Sequence, residues 1–191
     1  MSQPLATRDY NGAKIPVAGS YQLDAAHKRV GFIARHMMVS KVRGEFKDAS
    51  ATIVIAEDPL QSSATATIQA ASFDSSSEQR DGHVKGEDFL DVEKYPTLVF
   101  ASTGVKDFDG SELVLLGDLT IKDVTRQVEL KVELEGVSRS PWGQDLFGFT
   151  ATTEIDREDF GITWNAALEG GGVLVSKKVK IEIEGEAVLQ A

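Results

Sequence analysis

Three histidines, His27, His36 and His83, are the first residues that could do chemistry, because with Asp81 or Glu78 they would supply a two-histidine, one-carboxylate metal set. Their spacing argues against it. No His-x-His or His-x-x-x-His pair offers two imidazoles to one ion from a single strand or helix turn, and hydrogen bonding at a surface or barrel mouth is the plainer role. No metal is expected. Arg80 and His83 suit an anionic head group such as a diphosphate, since a guanidinium offers bidentate geometry and a neutral imidazole can donate. The plainer reading of Arg80 is an ion pair with a carboxylate that braces a helix.

The remaining motifs are weaker. Gly170-Gly171-Gly172 lacks the Lys-Ser/Thr of a phosphate-binding loop and precedes a strand, so it reads as a hairpin tip. Gly-x-Ser-x-Gly is absent. Asp107-x-Asp109-Gly110 begins like a calcium loop without its later ligands, and a turn explains it. Arg157-Glu158-Asp159 and Asp88-x-x-Asp91 offer paired carboxylates, but charged clusters on loops are ordinarily solvated. No catalytic residue and no cofactor is expected. The aromatic residues Phe32, Phe46, Phe73, Phe89, Phe100, Phe147, Phe149, Phe160 and Trp164 are spread over most of the chain. About half of them should be core filler, and the rest would line a channel for a flat or branched apolar ligand.

The elements that must position these groups are mostly strands. Val30, Phe32 and Ala34 alternate with Arg29, Gly31, Ile33 and Arg35, and Ala64 to Ala70 alternates strictly. Further strands are predicted at Tyr21–Leu23, Val42–Phe46 with a bend or bulge at Gly44, Ala51–Ile55, Leu98–Val105, Glu112–Thr120, Thr125–Val137, Gln144–Ile155 and Leu174–Leu189. Strands this long suit a closed barrel, which also removes exposed edges. The small residues Ala34, Ala66, Ala70, Ala151 and Ala187 among the inward candidates leave room in the bore. One stretch breaks the pattern: a helical excursion at about residues 76–93, opened by Ser75 and Glu78 at capping-box spacing and stopped by Pro96. Residues 1–17 are polar, hold Pro4 and Pro16, and read as a flexible N-terminal arm; residues 18–191 form the single domain.

Bulk properties bound the function. The 191 residues suit one domain, and a net charge of −10 opposes a nucleic-acid backbone. The same charge makes transient exchange with an anionic membrane more natural than stable docking or insertion. The absence of cysteine excludes disulfides and thiolate chemistry. Met1–Gly19 has no apolar run of the kind a signal peptide requires, so the chain reads as cytoplasmic.

Several stretches together resemble the YceI family: Arg80-Asp81-x-His83-Val84-Lys85, Asp88-Phe89-Leu90-Asp91-Val92, Tyr95-Pro96 and Phe100-Ala101-Ser102, with Tyr21-x-Leu23-Asp24-x-x-His27, Gly117-x-Leu119-Thr120-Ile121 and Arg157-x-Asp159-Phe160-Gly161-Ile162 in order around them. The resemblance implies a lipocalin-like antiparallel barrel that holds an isoprenoid or similar long-chain lipid without catalysis. Many relatives look exported, and the polar N-terminus departs from that. Residues and resemblance together predict an all-β, eight-stranded antiparallel up-and-down barrel. Its expected ligand-binding residues are Phe32, Ala34, His36, Phe46, Arg80, His83, Phe89, Phe100, Phe149, Ala151, Phe160 and Trp164. The expected partners are a polyisoprenoid or other long-chain lipid and a second copy in a homodimer, with no nucleic acid. Two rival classes are a small-molecule enzyme built in the bore and a ligand-free interaction module that uses the acidic exterior.

Overall fold

The computed structural model describes residues 4–191, and nearly all of its strands belong to one sheet that closes on itself. A small hairpin, β1 (Thr7–Tyr10) and β2 (Ala13–Pro16), stands apart. The sheet begins with β3 (Gly19–His36), whose start pairs with β5 (Ala49–Ile55) and whose end pairs with β4 (Ser40–Phe46). β4 and β5 are therefore one stave of the wall, broken at Lys47 and Asp48. The next stave, β6 (Ser63–Gln69) and β7 (Phe73–Asp74), is broken at the same level by a 3-10 turn at Ala70–Ser72. Lys47 N donates to Ser72 O at 3.0 Å and Gln69 N to Asp48 O at 2.9 Å, so backbone hydrogen bonds still tie the two staves together across the breaks.

β8 (Thr97–Lys106), β9 (Glu112–Ile121), β10 (Val124–Arg139), β11 (Asp145–Asp156) and β12 (Lys178–Leu189) then follow as antiparallel neighbours. β12 pairs back onto β3 from Lys180 opposite Ile33 to Leu189 opposite Tyr21, which closes an eight-stranded up-and-down barrel. The predicted fold class is the observed one.

Period-2 alternation puts Phe147, Phe149, Ala151 and Ile155 of β11 on the same side as Ile181, Ile183 and Ala187 of β12, and this side is the interior. Two glycines let aromatic rings lie flat against that interior wall. A Cβ on Gly44 would meet the Phe32 ring at 2.4 Å, and one on Gly117 would meet the Phe100 ring at 2.3 Å. Gly44 therefore marks a close approach rather than the predicted bulge, because it pairs in register with Phe32. Folding a ring over a neighbouring glycine buries the aromatic face while leaving the axis of the barrel open.

Several predicted boundaries shift. Residues 1–3 lie outside the described residues, but the rest of the polar N-terminal stretch is not a loose arm: Ile15 is 2% exposed, and Arg8 Nε donates to Pro16 O at 3.2 Å while its guanidinium also reaches Ala56 O and Glu57. An apolar pair, Ile15-Pro16, docked over the barrel end outweighs the polar composition around it. Helix α1 spans only Glu78–Lys85, and the rest of the excursion is turns pinned by Leu90 N to Val84 O at 2.9 Å and Val92 N to Lys85 O at 3.0 Å. Its N-cap is Ser77, not Ser75, whose amide and hydroxyl both bind Asp81.

β12 starts at Lys178 rather than Leu174, because Asn165 Oδ1 accepts from Leu174 N at 3.0 Å and Val175 N at 3.1 Å, occupying groups a strand neighbour would take. The β3–β4 reversal is a type I′ turn in which Val39 N donates to His36 O at 3.0 Å, with Met37 and Met38 at φ 52° and 59°. Each such residue with a Cβ costs roughly 1–2 kcal/mol against a right-handed conformation.

Candidate functional site

The bore is divided into two chambers. The smaller, about 170 Å³, lies toward the β1–β2 hairpin, floored by Ile15 and Pro16 and lined by aliphatic and aromatic side chains with only serine and threonine hydroxyls among them. The larger, about 650 Å³, lies toward α1 and the β11–β12 connection. Phe100 of β8, 8% exposed, lines the smaller chamber, and its cross-strand partner Leu119 of β9, 7% exposed, packs in the core beside it. The larger volume falls within the roughly 300–1,000 Å³ of ordinary small-ligand sites, and the smaller falls below it.

Eleven of the twelve residues expected to bind ligand line one chamber or the other. Phe32, Ala34, His36, Phe46, Arg80, His83, Phe89 and Trp164 line the larger, and Phe100, Phe149 and Ala151 line the smaller. Phe160 lines neither: it ends the 3-10 turn Arg157–Phe160 that follows β11, 2% exposed in the core, and Gly161 in the left-handed region caps the turn.

The aromatic rim of the larger chamber is built from sequence-distant pieces. The His83 ring meets Trp164 edge-on at 4.6 Å and Phe89 at 5.1 Å, and Phe89 lies 5.4 Å from Trp164. His83 Nε2 is hydrogen-bonded to Asp88 Oδ2 at 2.8 Å, so one of its two nitrogens is already committed. Arg80 has no ion pair of 4 Å or less among the described residues, contrary to the helix-bracing reading. Its Nε donates to Ser75 Oγ at 2.7 Å and its Nη2 to Ser75 O at 2.8 Å, while the Asp81 carboxylate goes to Ser75 instead. Arg80 lines the chamber, and no hydrogen bond of its Nη1 forms among the described residues.

The histidines do not converge. His36 ends β3 at the chamber rim, His83 lies in α1, and His27 sits on the outside of β3 with its Nδ1 2.8 Å from Asp24 Oδ2 and 3.7 Å from Glu186 Oε2. The hydrogen bond to Asp24, with Glu186 nearby, raises the His27 pKa above its ordinary value of 6.5. No set joining His36 and His83 to Asp81 or Glu78 forms among the described residues.

Sequence reasoning missed Arg157. The Arg157-Glu158-Asp159 run reads as a solvated charged cluster, yet Arg157 is 4% exposed and lines the larger chamber. Its Nε donates to Ser176 O at 2.9 Å, Nη1 to Ile162 O at 2.8 Å and Nη2 to Val175 O at 3.4 Å. Those three bonds leave two of the five guanidinium protons unused. No carboxylate stands within 4 Å of it among the described residues, and burial lowers its pKa below the ordinary arginine value. The signal was available in the parity of β11: Phe147, Phe149, Ala151 and Ile155 face inward, and Arg157 is the next odd position.

Arg35 was also missed, and it completes the electrostatics. Three arginines and two histidines line the larger chamber, with no aspartate or glutamate, in a protein whose net charge is −10. A low-dielectric chamber edged by one sign of charge focuses the field of that sign. What the arrangement can do is hold an apolar body and offer cationic donors to whatever polar end it carries.

Comparison with known proteins gives the family and the fold. The family model described as YceI-like domain matches residues 21–187. A UPF0312 protein of Staphylococcus aureus (strain MSSA476) is 37% identical over 169 residues, covering 87% of this chain and 96% of its own. The crystal structure of Burkholderia cenocepacia BcnA superposes with a TM-score of 0.75 at 25% identity, covering 86% of this chain and 98% of that one. A polyisoprenoid binding domain from Saccharophagus degradans superposes with a TM-score of 0.68 at 12% identity over 89% of this chain and 98% of its own, a likeness of fold alone.

Proposed function

The chain belongs to the YceI-like family, and from that premise we propose that it binds a long-chain hydrophobic ligand, a polyisoprenoid or similar lipid, inside the barrel for storage, sequestration or carriage, without catalysis. The observation that carries the reading is the larger chamber of about 650 Å³, whose walls are apolar and whose charged lining is exclusively cationic. An anionic head group lies at the α1 end, within reach of Arg80 and Arg157, and the tail runs inward toward Phe100 and the smaller chamber. Each buried methylene contributes roughly 0.8 kcal/mol before association costs, so the tail supplies most of the affinity and the arginines choose the head group.

Among the described residues no helix is long and apolar enough to cross a membrane. The cytoplasm is the compartment proposed, and fractionation of cells carrying the full chain tests it. The ligand is tested by native mass spectrometry of the protein purified from its own host, followed by lipid extraction. A complex heavier than the chain that releases a long-chain lipid on denaturation is expected. A protein that is ligand-free from its host and takes up no polyprenyl phosphate from solution would sink the reading.

A further inference from the structure

We propose that the β3–β4 hairpin tip, Met37-Met38-Val39, docks the barrel onto an anionic lipid surface, beside the mouth through which the proposed ligand enters; the inference rests on the lipid-binding reading only for what the docking serves. The tip is an unfavourable turn in isolation. A type I′ reversal favours Asn-Gly, yet here Met37 and Met38 hold both left-handed positions. The tip is also apolar where water should be: Met37 is 42% exposed, Met38 54% and Val39 82%.

Behind it the hairpin is cationic. Arg35 and Lys41 are direct cross-strand partners, and Arg43, opposite Ile33, shares their face. Like charges placed directly opposite each other destabilise a strand pair, and none of the three has an ion pair of 4 Å or less among the described residues. Apolar tip and cationic flank together match a bilayer interface, in which the side chains of the tip enter the acyl boundary and the cations meet lipid phosphates.

Position supports the assignment. Met37 N donates to Leu174 O at 2.8 Å, and His36, Arg35 and Leu174 all line the larger chamber, so the tip is continuous with its rim. The excursion beside that mouth is net acidic, with Glu78, Asp81, Glu87, Asp88, Asp91 and Glu93 outnumbering Arg80, Lys85 and Lys94, so the attraction is strongest at the hairpin. The opposite end of the barrel has an exposed Trp142, but its turns carry Glu57, Asp58, Asp107 and Asp109, and an anionic surface would repel them. A net charge of −10 keeps docking transient, as exchange of cargo requires.

The test is flotation of the full chain with vesicles of phosphatidylcholine alone and of phosphatidylcholine with phosphatidylglycerol. Capture by the anionic vesicles, weakening with salt, is expected. Met37→Asn with Met38→Gly suits the turn better and should raise the melting temperature while lowering capture roughly tenfold or more. Lys41→Glu with Arg43→Glu should lower it by at least about fivefold per cation removed. Uptake of polyprenyl phosphate delivered from cyclodextrin should be unchanged in the Met37→Asn, Met38→Gly protein. Undiminished capture of that protein, or no capture of the parent chain, overturns the proposal. So does light scattering that shows a parent dimer and a monomer for the turn variant, which would make the tip a self-association surface. Failure of cyclodextrin-delivered uptake in the parent chain would instead strike the lipid-binding reading and leave docking standing on the vesicle result.

Discussion

The guanidinium carbon of Arg157 lies 5.9 Å from the centre of the Phe89 ring, so a cation buried in the barrel wall meets the aromatic edge of the excursion across the larger chamber. Arg157→Met removes both the charge and the donors to three backbone carbonyls. Leaving buried acceptors unpaired costs roughly 1–3 kcal/mol each at most, so a clear drop in urea midpoint is expected. Preference for polyprenyl phosphate over the neutral alcohol should fall with it. Arg157→Lys should keep part of that preference while losing the stability; if both variants discriminate like the parent, Arg157 plays no part in choosing the head group.

Two fillings separate the chambers. Ala34→Phe places a ring in the larger chamber and Ala151→Phe places one in the smaller. With the head at the α1 end, Ala34→Phe should abolish uptake of every chain length, whereas Ala151→Phe should spare short chains and exclude long ones. Uptake measured over a series of polyprenyl phosphates, with folding checked by circular dichroism, decides it. Equal tolerance of both substitutions would put the ligand outside the barrel.

The excursion is anchored less by Phe89 than by its neighbour. Leu90 is 8% exposed and belongs to the main core cluster, whereas Phe89 is half-buried against His83 and Trp164. Leu90→Ala should cost about 2–5 kcal/mol, and Phe89→Ala should cost less than that while affecting ligand uptake more. Denaturant midpoints of the two variants in the reverse order would show that the chamber rim, not the core contact, holds the segment.

Alkaline titration reports on the other end of the barrel. Tyr21 is 1% exposed, its hydroxyl donates to Val17 O at 2.9 Å, and burial first, then the Asp145 charge, pushes its pKa up to about 12 from 10.0. The folded state thus holds this proton more tightly than the unfolded one. Its stabilising contribution is whole below pH 10.0 and is lost between there and about pH 12. Stability should decline across that window. Tyr21→Phe should flatten the decline and cost about 1 kcal/mol at neutral pH for the lost hydrogen bond, and an absorbance titration should find one late tyrosinate in the parent protein. Three tyrosines ionising together near pH 10 would contradict the burial.

Alternation made the wall legible from sequence, because a half-buried strand must put apolar groups on every second position. β6, β8, β9, β10 and β11 fall within a few residues of their predicted limits. What alternation does not encode is where a segment with its own hydrogen-bond partners leaves the sheet, and Asn165 holding Leu174 and Val175 is such a case. The rim aromatics Phe89 and Trp164 were recognised as a type, but their meeting depends on two connections folding over the same opening, a relation with no sequence period. Arg157 was hidden by its neighbours Asp156 and Glu158, whose charges suggest water. Only its place in the inward series of β11 tells the two readings apart.

Because β12 is the strand that joins β11 to β3, the wall cannot shut until that stretch has left the ribosome. A nascent chain ending before Lys178 offers two unpaired backbone edges at once, from β3 and β11, and edges of that kind recruit strands from other molecules. Polysomes carrying many such chains side by side would bring matching edges together. Synthesis therefore passes through a sticky stage, and its duration is set by how quickly the ribosome finishes the last stave.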